Sequence, residues 1–120
     1  MNQKNNIILQ KSFDFAIEII ELYKILNSKG EFIISKQLFR AATSIGANVN
    51  EGTAAASKKD FINKMIIASK EARETEYWLL LLEKSQLVAC NYLKYLTDIS
   101  EINKILTSIV KTSQENLETK

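Results

Sequence analysis

The absence of proline, together with the presence of only three glycines, most constrains what this chain can fold into. These two residues usually mark the turns of sheets and hairpins, and in this chain of 120 residues only Gly30, Gly46 and Gly52 offer such positions. Apolar residues instead recur at every third or fourth position, which is the period of an amphipathic helix. The sequence therefore predicts an all-α protein.

Four helices separated by three short breaks account for the apolar pattern. The predicted helices span about residues 11–28, 32–52, 58–87 and 92–117 of one domain, residues 1–120. Short connections make successive helices antiparallel neighbours, so the predicted fold is an up-and-down antiparallel four-helix bundle. Ser57 and Asp60 have the spacing of a capping box, which predicts the start of the third helix.

The first predicted helix carries an unusually wide apolar face. One set of residues lies along its centre and a second set widens it: Phe13, Ile17, Ile20 and Leu26, then Phe15, Ile19 and Leu22. An ordinary bundle helix buries a narrower stripe than this. We therefore expect the first helix to pack against more than one partner.

Charge and cysteine content narrow the functional classes only slightly. The formal net charge of +2 is too small to identify a nucleic-acid-binding protein by itself. Cys90 is the only cysteine, so no intrachain disulfide can form, which fits a reducing cytoplasm. The apolar cluster near the N-terminus is short and interrupted by polar residues, which argues against a signal peptide or a membrane span. We expect a cytoplasmic protein without membrane contact.

A fixed pattern of residues occupies the middle half of the chain, from Ser44 to Leu79. It reads SIxANVxEG, then SKKDF after four further residues, and later IA and EARETxYWL. This pattern resembles the four-helix bundle family of proteins encoded in intervening sequences of bacterial large-subunit ribosomal RNA genes. The flanking helices agree with that family in length and character only.

The resemblance implies a small cytoplasmic bundle that assembles into a ring-shaped homopentamer and has no established enzymatic activity. A relative of similar structure, the accessory variability protein of diversity-generating retroelements, binds nucleic acid and a reverse transcriptase through a basic surface, which implies a similar role only by analogy of fold. The chain departs from the family after Glu51 and Gly52. Many members carry an aromatic residue and arginines there, whereas this chain has TAAA at residues 53–56.

Five basic residues are the predicted contacts to nucleic acid, namely Lys36, Arg40, Lys58, Lys59 and Lys64. Lys58, Lys59 and Lys64 lie in the first turns of the third helix, where free backbone N–H groups favour anions. A second predicted basic patch consists of Lys24, Lys29, Lys36 and Arg40. A solvated helix face is the alternative interpretation of these lysines.

Several polar residues fall at positions that a bundle would bury or use between subunits. They are Asn48, Glu51, Arg73, Glu74, Glu76 and Trp78. We predict a hydrogen-bonded network that fixes helix register or lies at a subunit contact, because an unpaired buried carboxylate costs several kcal/mol. A metal or acid–base site at Asn48, Glu51 and Glu74 is the alternative. It is disfavoured because di-metal bundles use Glu-x-x-His elements and the chain has no histidine.

Catalytic motifs are missing from the sequence. It contains no histidine base, no phosphate-cradling glycine loop and no paired cysteine ligands, so we expect no enzyme, no metal and no cofactor. Two functions remain. The first is an oligomeric accessory module that binds RNA or DNA, and the alternative is a protein-binding or structural ring with no affinity for nucleic acid.

Overall fold

The computed structural model describes residues 3–118, which form four long helices. They are α1 (Gln3–Ser28), α2 (Ile34–Thr53), α3 (Lys58–Ser85) and α4 (Leu93–Glu118). Each helix packs against the next and α4 packs back on α1, giving a rod of 52 × 22 × 21 Å. No strand occurs between residues 3 and 118. The predicted all-α four-helix bundle is confirmed.

Helix α1 begins at Gln3, well before the predicted start at residue 11. Asn5 and Asn6 are poor helix formers, and for this reason the sequence pattern placed the start too late. Tertiary contacts stabilise the additional turns, because Ile8 is fully buried in the core and Lys4 Nζ donates a hydrogen bond of 2.6 Å to Ser108 Oγ of α4.

The other helix ends lie within two residues of the predicted bounds, and the end of α1 and the start of α3 coincide with them. Helix α2 begins at Ile34 because residues 32–33 belong to the preceding turn. Helix α3 ends at Ser85, since Gln86 adopts a left-handed conformation with φ of 46°. The predicted capping interaction at the start of α3 is present, with Ser57 Oγ accepting from the Asp60 N–H at 3.1 Å.

The core is formed by the apolar faces that the sequence predicts for α2, α3 and α4. Helix α1 packs against both α2 and α4, so the expectation of more than one partner is confirmed. The second set of its residues, Phe15, Ile19 and Leu22, is buried in the bundle. In the first set Leu26 is fully buried, whereas Phe13 and Ile17 remain 61% and 48% exposed. The expected wide face of α1 is therefore divided, with one half in the core and the other on the surface.

The turn from α1 to α2 is tightly hydrogen-bonded. Gly30 has φ of +85°, its N–H donates to Asn27 O, and the Glu31 N–H donates to Leu26 O, which is the Schellman arrangement. The Glu31 side chain then accepts from the N–H groups of Ile33, Ile34 and Ser35 at 3.0, 3.0 and 2.6 Å. One buried carboxylate thus satisfies the free donors at the start of α2.

Ionic contacts join α1 to α4. Lys11 pairs with Glu101 at 2.7 Å, and Lys94 pairs with Glu18. Asp98 lies on α4 one turn before Glu101, at the same contact. Burial and a hydrogen bond to Glu18 raise the pKa of Asp98. These two helices are therefore held together partly by charges at their edge.

Among the helices described, none combines the length and apolar character that crossing a membrane requires.

Candidate nucleic-acid and subunit interfaces

Arg40 links α2 to α3 through two carboxylates. Its Nη1 atom lies 3.1 Å from Glu71 Oε2, and its Nη2 atom donates to Glu74 Oε2. Trp78 Nε1 donates to the same Glu74 oxygen at 3.0 Å. The cluster joins Glu74 and Trp78, two residues of the predicted polar network, to Arg40, a predicted nucleic-acid contact.

The charged forms of Glu74 and Arg40 stabilise each other in this cluster. The Trp78 N–H and the Arg40 guanidinium lower the pKa of Glu74 by favouring its charged form. Pairing with Glu74 in turn raises the pKa of Arg40. Half of the Arg40 side-chain surface is exposed. Its positive charge is nevertheless offset by two carboxylates, which weakens its interaction with a phosphate.

Lys64 is likewise paired across the contact between α2 and α3. Its Nζ atom lies 2.9 Å from Glu51 Oε1. The pair lies near the end of α2, about one turn before the connection to α3. Lys64, a predicted nucleic-acid contact, and Glu51, a predicted network residue, therefore bind each other on the protein surface.

The remaining predicted network residues lie apart from the Arg40 cluster. Asn48 is half-buried and donates from Nδ2 to Ser44 O of its own helix at 2.8 Å. Glu76 accepts from Asn103 Nδ2 of α4 at 3.4 Å, on the opposite flank of α3. Arg73 is exposed. These groups form separate contacts on two sides of α3 rather than one network within the subunit.

The predicted basic residues also separate into two ends of the rod. Lys58 and Lys59 are exposed at the start of α3, whereas Lys36 is exposed in the first turn of the antiparallel α2. At about 1.5 Å per residue, the length of α2 places Lys36 on the order of 25 Å from the start of α3. The predicted contacts therefore do not converge on one patch of a single subunit.

Two lysines on α4 extend the basic surface near Lys58 and Lys59. Lys59 lines a shallow cavity together with Gln114 of α4, and Lys111 lies one turn before Gln114. Lys104 lies two turns before Lys111 on the same exposed side. We call Lys58, Lys59, Lys104 and Lys111 the α3–α4 lysine surface. Sequence reasoning missed the two α4 members, which the seven-residue spacing of Lys104 and Lys111 could have indicated.

The exposed half of α1 borders a groove against α2. Phe13, Leu9 and Ala16 line one side of the groove, and Gly46 and Ala47 lie on the other. Its volume is about 490 Å³. Gly46 and Ala47 carry little or no side chain, so they leave room for another helix to approach α2 here. Ile17 is exposed one turn along from Phe13. We call Phe13, Ile17 and Ala47 the α1–α2 flank.

Comparison with known proteins agrees with this architecture. No curated protein matches the chain. Among solved structures it is similar to a protein of unknown function from the S23 ribosomal protein family of Bacteroides thetaiotaomicron, with 50% sequence identity and a TM-score of 0.86. The match covers 91% of this chain and 99% of that chain. The profile of the 23S rRNA-intervening sequence proteins matches residues 4–108. A match over this much of the bundle shows that the chain belongs to the family of 23S rRNA-intervening sequence proteins.

Proposed function

We propose that this chain is a non-enzymatic subunit of a cytoplasmic homo-oligomeric ring that binds structured RNA or DNA as an accessory module. The α3–α4 lysine surface carries the proposal. Lys59, Lys104 and Lys111 are exposed and form no ion pair with any other residue that the structure describes. Unpaired lysines on adjacent helices are the groups that release counterions when they meet phosphates.

A ring would make a modest charge per chain sufficient for binding. Each subunit contributes only a few lysines, which alone would give weak and salt-sensitive contact. Repetition of the surface around an oligomer raises the effective concentration of each contact, so the assembled ring binds more tightly than one subunit. The proposal therefore depends on self-association.

The α1–α2 flank supports self-association. It exposes Phe13 and Ile17 beside a groove lined by small residues, and the wide apolar face of α1 is left half uncovered by the bundle. A pentamer, which the family resemblance implies, is the ring we propose. Replacement of Phe13 and Ile17 by glutamate should reduce the mass measured by light scattering from about five chains to one. Ile25→Glu, at an exposed apolar position elsewhere on α1, is the control.

Fluorescence anisotropy with an RNA hairpin and a DNA duplex tests nucleic-acid binding. We expect the affinity to fall steeply with rising salt and to fall at least tenfold in the variant Lys59→Glu/Lys111→Glu. Lys24→Glu/Lys84→Glu makes the same change in net charge at the other end of the rod and should have a much smaller effect. Equal losses in both variants would indicate nonspecific attraction, and no binding at low salt would contradict the proposal.

A protein-binding or structural ring without nucleic-acid affinity is the second candidate. The observation that favours it is the pairing of Arg40 with Glu71 and Glu74, and of Lys64 with Glu51, which leaves two predicted phosphate contacts neutralised. The replacement of family arginines by alanines after Gly52 points the same way. An intact pentamer that binds neither RNA nor DNA at low salt would establish this candidate over the first.

A further inference from the structure

One end of the bundle exposes large apolar side chains. Phe32 and Ile33 of the α1–α2 turn are 62% and 80% exposed, and Leu87 of the α3–α4 connection is 59% exposed. These three residues line one cavity of about 360 Å³, together with Gly30 and Val88. We call Phe32, Ile33 and Leu87 the apolar tip. The connection at the opposite end of the bundle, residues 53–57, contains only Thr, Ala and Ser.

The apolar tip is held rigidly in this exposed position. Glu31 is buried, and its carboxylate binds the N–H groups of Ile33, Ile34 and Ser35. The buried Ser35 Oγ lies 2.9 Å from both Asn27 Oδ1 and Glu31 O, so its single proton can be donated to either oxygen, and the contact with Asn27 ties the turn back to α1. The backbone on both sides of Phe32 is therefore fixed before any partner arrives, so little conformational entropy is lost on binding.

Two exposed lysines lie beside the apolar tip. Lys29 lines the cavity beside Phe32, and Lys36 is exposed in the first turn of α2. Neither lysine forms an ion pair with any residue in the described part of the chain, residues 3–118. Glu31, the acidic residue in the cavity lining, keeps its negative charge, but its carboxylate is buried and turned toward the backbone N–H groups of Ile33, Ile34 and Ser35. The rim of the cavity thus complements a negatively charged partner.

We propose that the apolar tip is a docking site for a short acidic segment of another protein, one that inserts apolar side chains between Phe32 and Leu87 and places carboxylates against Lys29 and Lys36. Contact between the tips of two copies is disfavoured because it would bring the same lysines together. A membrane surface is a poorer match, since the site is concave and carries few cations, whereas polybasic membrane-binding segments carry about 4–8. This proposal is independent of nucleic-acid binding.

Selection of displayed random dodecapeptides against the full-length protein tests the docking site. We expect the enriched peptides to combine two or three large apolar residues with Asp or Glu. Their affinity should fall about thirtyfold or more in Phe32→Ser/Leu87→Ser, which removes the anchors of the site. It should fall less in Lys29→Glu, and this smaller loss should shrink as salt is added.

Ile7→Ser is the matched control, because Ile7 is an exposed apolar residue that lines a cavity at the opposite end. Since both tip side chains are exposed, the double variant should retain the circular dichroism spectrum and melting behaviour of the parent protein. Peptides that bind the double variant as well as the parent would overturn the proposal. Enrichment of peptides that contain no Asp or Glu would also overturn it.

Two further measurements test whether a second copy of the chain or a lipid surface occupies the tip. A lower mass of the double variant in light scattering would show that the tip is a contact between copies. Binding to vesicles that contain phosphatidylglycerol, lost in the double variant, would show that the tip contacts lipid. Either result would overturn the proposal. An unchanged mass and no vesicle binding, together with tip-dependent acidic peptides, would support it.

Discussion

Replacement of Glu31 by alanine should destabilise the protein far more than replacement of an ordinary surface glutamate. The carboxylate accepts three backbone N–H groups at the start of α2, and the shortest of these bonds, 2.6 Å, goes to the buried N–H of Ser35. Water can replace Glu31 at Ile33 and Ile34, which are not fully buried, but the Ser35 donor would be left without a partner.

The expected loss of stability is the sum of two contributions. A hydrogen bond to a charged group contributes about 1.5–3 kcal/mol, and loss of a helix cap costs about 1 kcal/mol more. We therefore expect Glu31→Ala to lower the free energy of unfolding by about 2.5–4 kcal/mol. At roughly 4 °C per kcal/mol for a chain of this size, the melting temperature should fall by about 10–16 °C. Glu31→Gln, which keeps one acceptor oxygen, should lose about half as much.

Urea denaturation followed by far-ultraviolet circular dichroism measures the effect. All variants must be compared at one protein concentration, because self-association adds to apparent stability. Glu21→Ala is the control, since Glu21 is exposed and its ion pair is with Lys24 of its own helix; its change should stay within about 0.5 kcal/mol. A Glu31→Ala loss no larger than that of the control would refute the reasoning that this carboxylate holds the turn.

Three further changes test the packing and the charges of the bundle. Gly52→Val should cost about 1–3 kcal/mol in urea denaturation, because even a Cβ at residue 52 would lie 2.8 Å from Met65 Cε and 3.2 Å from Lys64 Cβ; a neutral effect would mean that α3 moves aside freely. Glu74 has a lowered pKa in the folded state, so it contributes stability above its unfolded pKa of about 4.5 and loses it as the pH falls through the folded value. Thermal melts across acidic pH should therefore show a smaller acid-induced loss for Glu74→Gln than for the parent, and equal losses would contradict the role of Trp78 and Arg40. Asp98 has a raised pKa, so its ionisation opposes folding at neutral pH. Asp98→Asn should raise the melting temperature at pH 7, with the gain shrinking as the pH falls through the folded pKa of Asp98; a lower melting temperature at pH 7 would contradict this.

The helices were predictable because their signals are local. Periodicity places Leu38, Ile45 and Val49 on one face of α2 without any knowledge of the partner helix. Gly30 predicts the end of α1 for a similar reason, since a left-handed residue after the last turn favours glycine. The early start of α1 was missed because Ile8 is stabilised by contacts with distant parts of the chain, which overcome the poor local propensity of Asn5 and Asn6.

Side-chain pairing was predictable only in part. Glu74 and Trp78 lie one turn apart on the same helix, so their contact is visible in the sequence. Arg40 pairs with residues 31 and 34 positions away, and its partners depend on how α2 and α3 face each other. The capping role of Glu31 is local, but the apolar periodicity that predicts the helices carries no information about it. The signal available was its spacing of two to four residues before the free N–H groups of α2.

The three proposed surfaces lie on different parts of the rod. The α1–α2 flank is formed by the first two helices, and the α3–α4 lysine surface by the other two, so the flank itself does not include the lysines. The apolar tip lies at the end of α1 and α3, whereas Lys58 and Lys59 lie at the start of α3. A rod of 52 Å keeps these two ends well beyond a Debye length of about 8 Å at physiological salt. Charge bound at one end therefore has little direct influence on the other, so nucleic acid at the lysine surface would not hinder an acidic partner at the apolar tip.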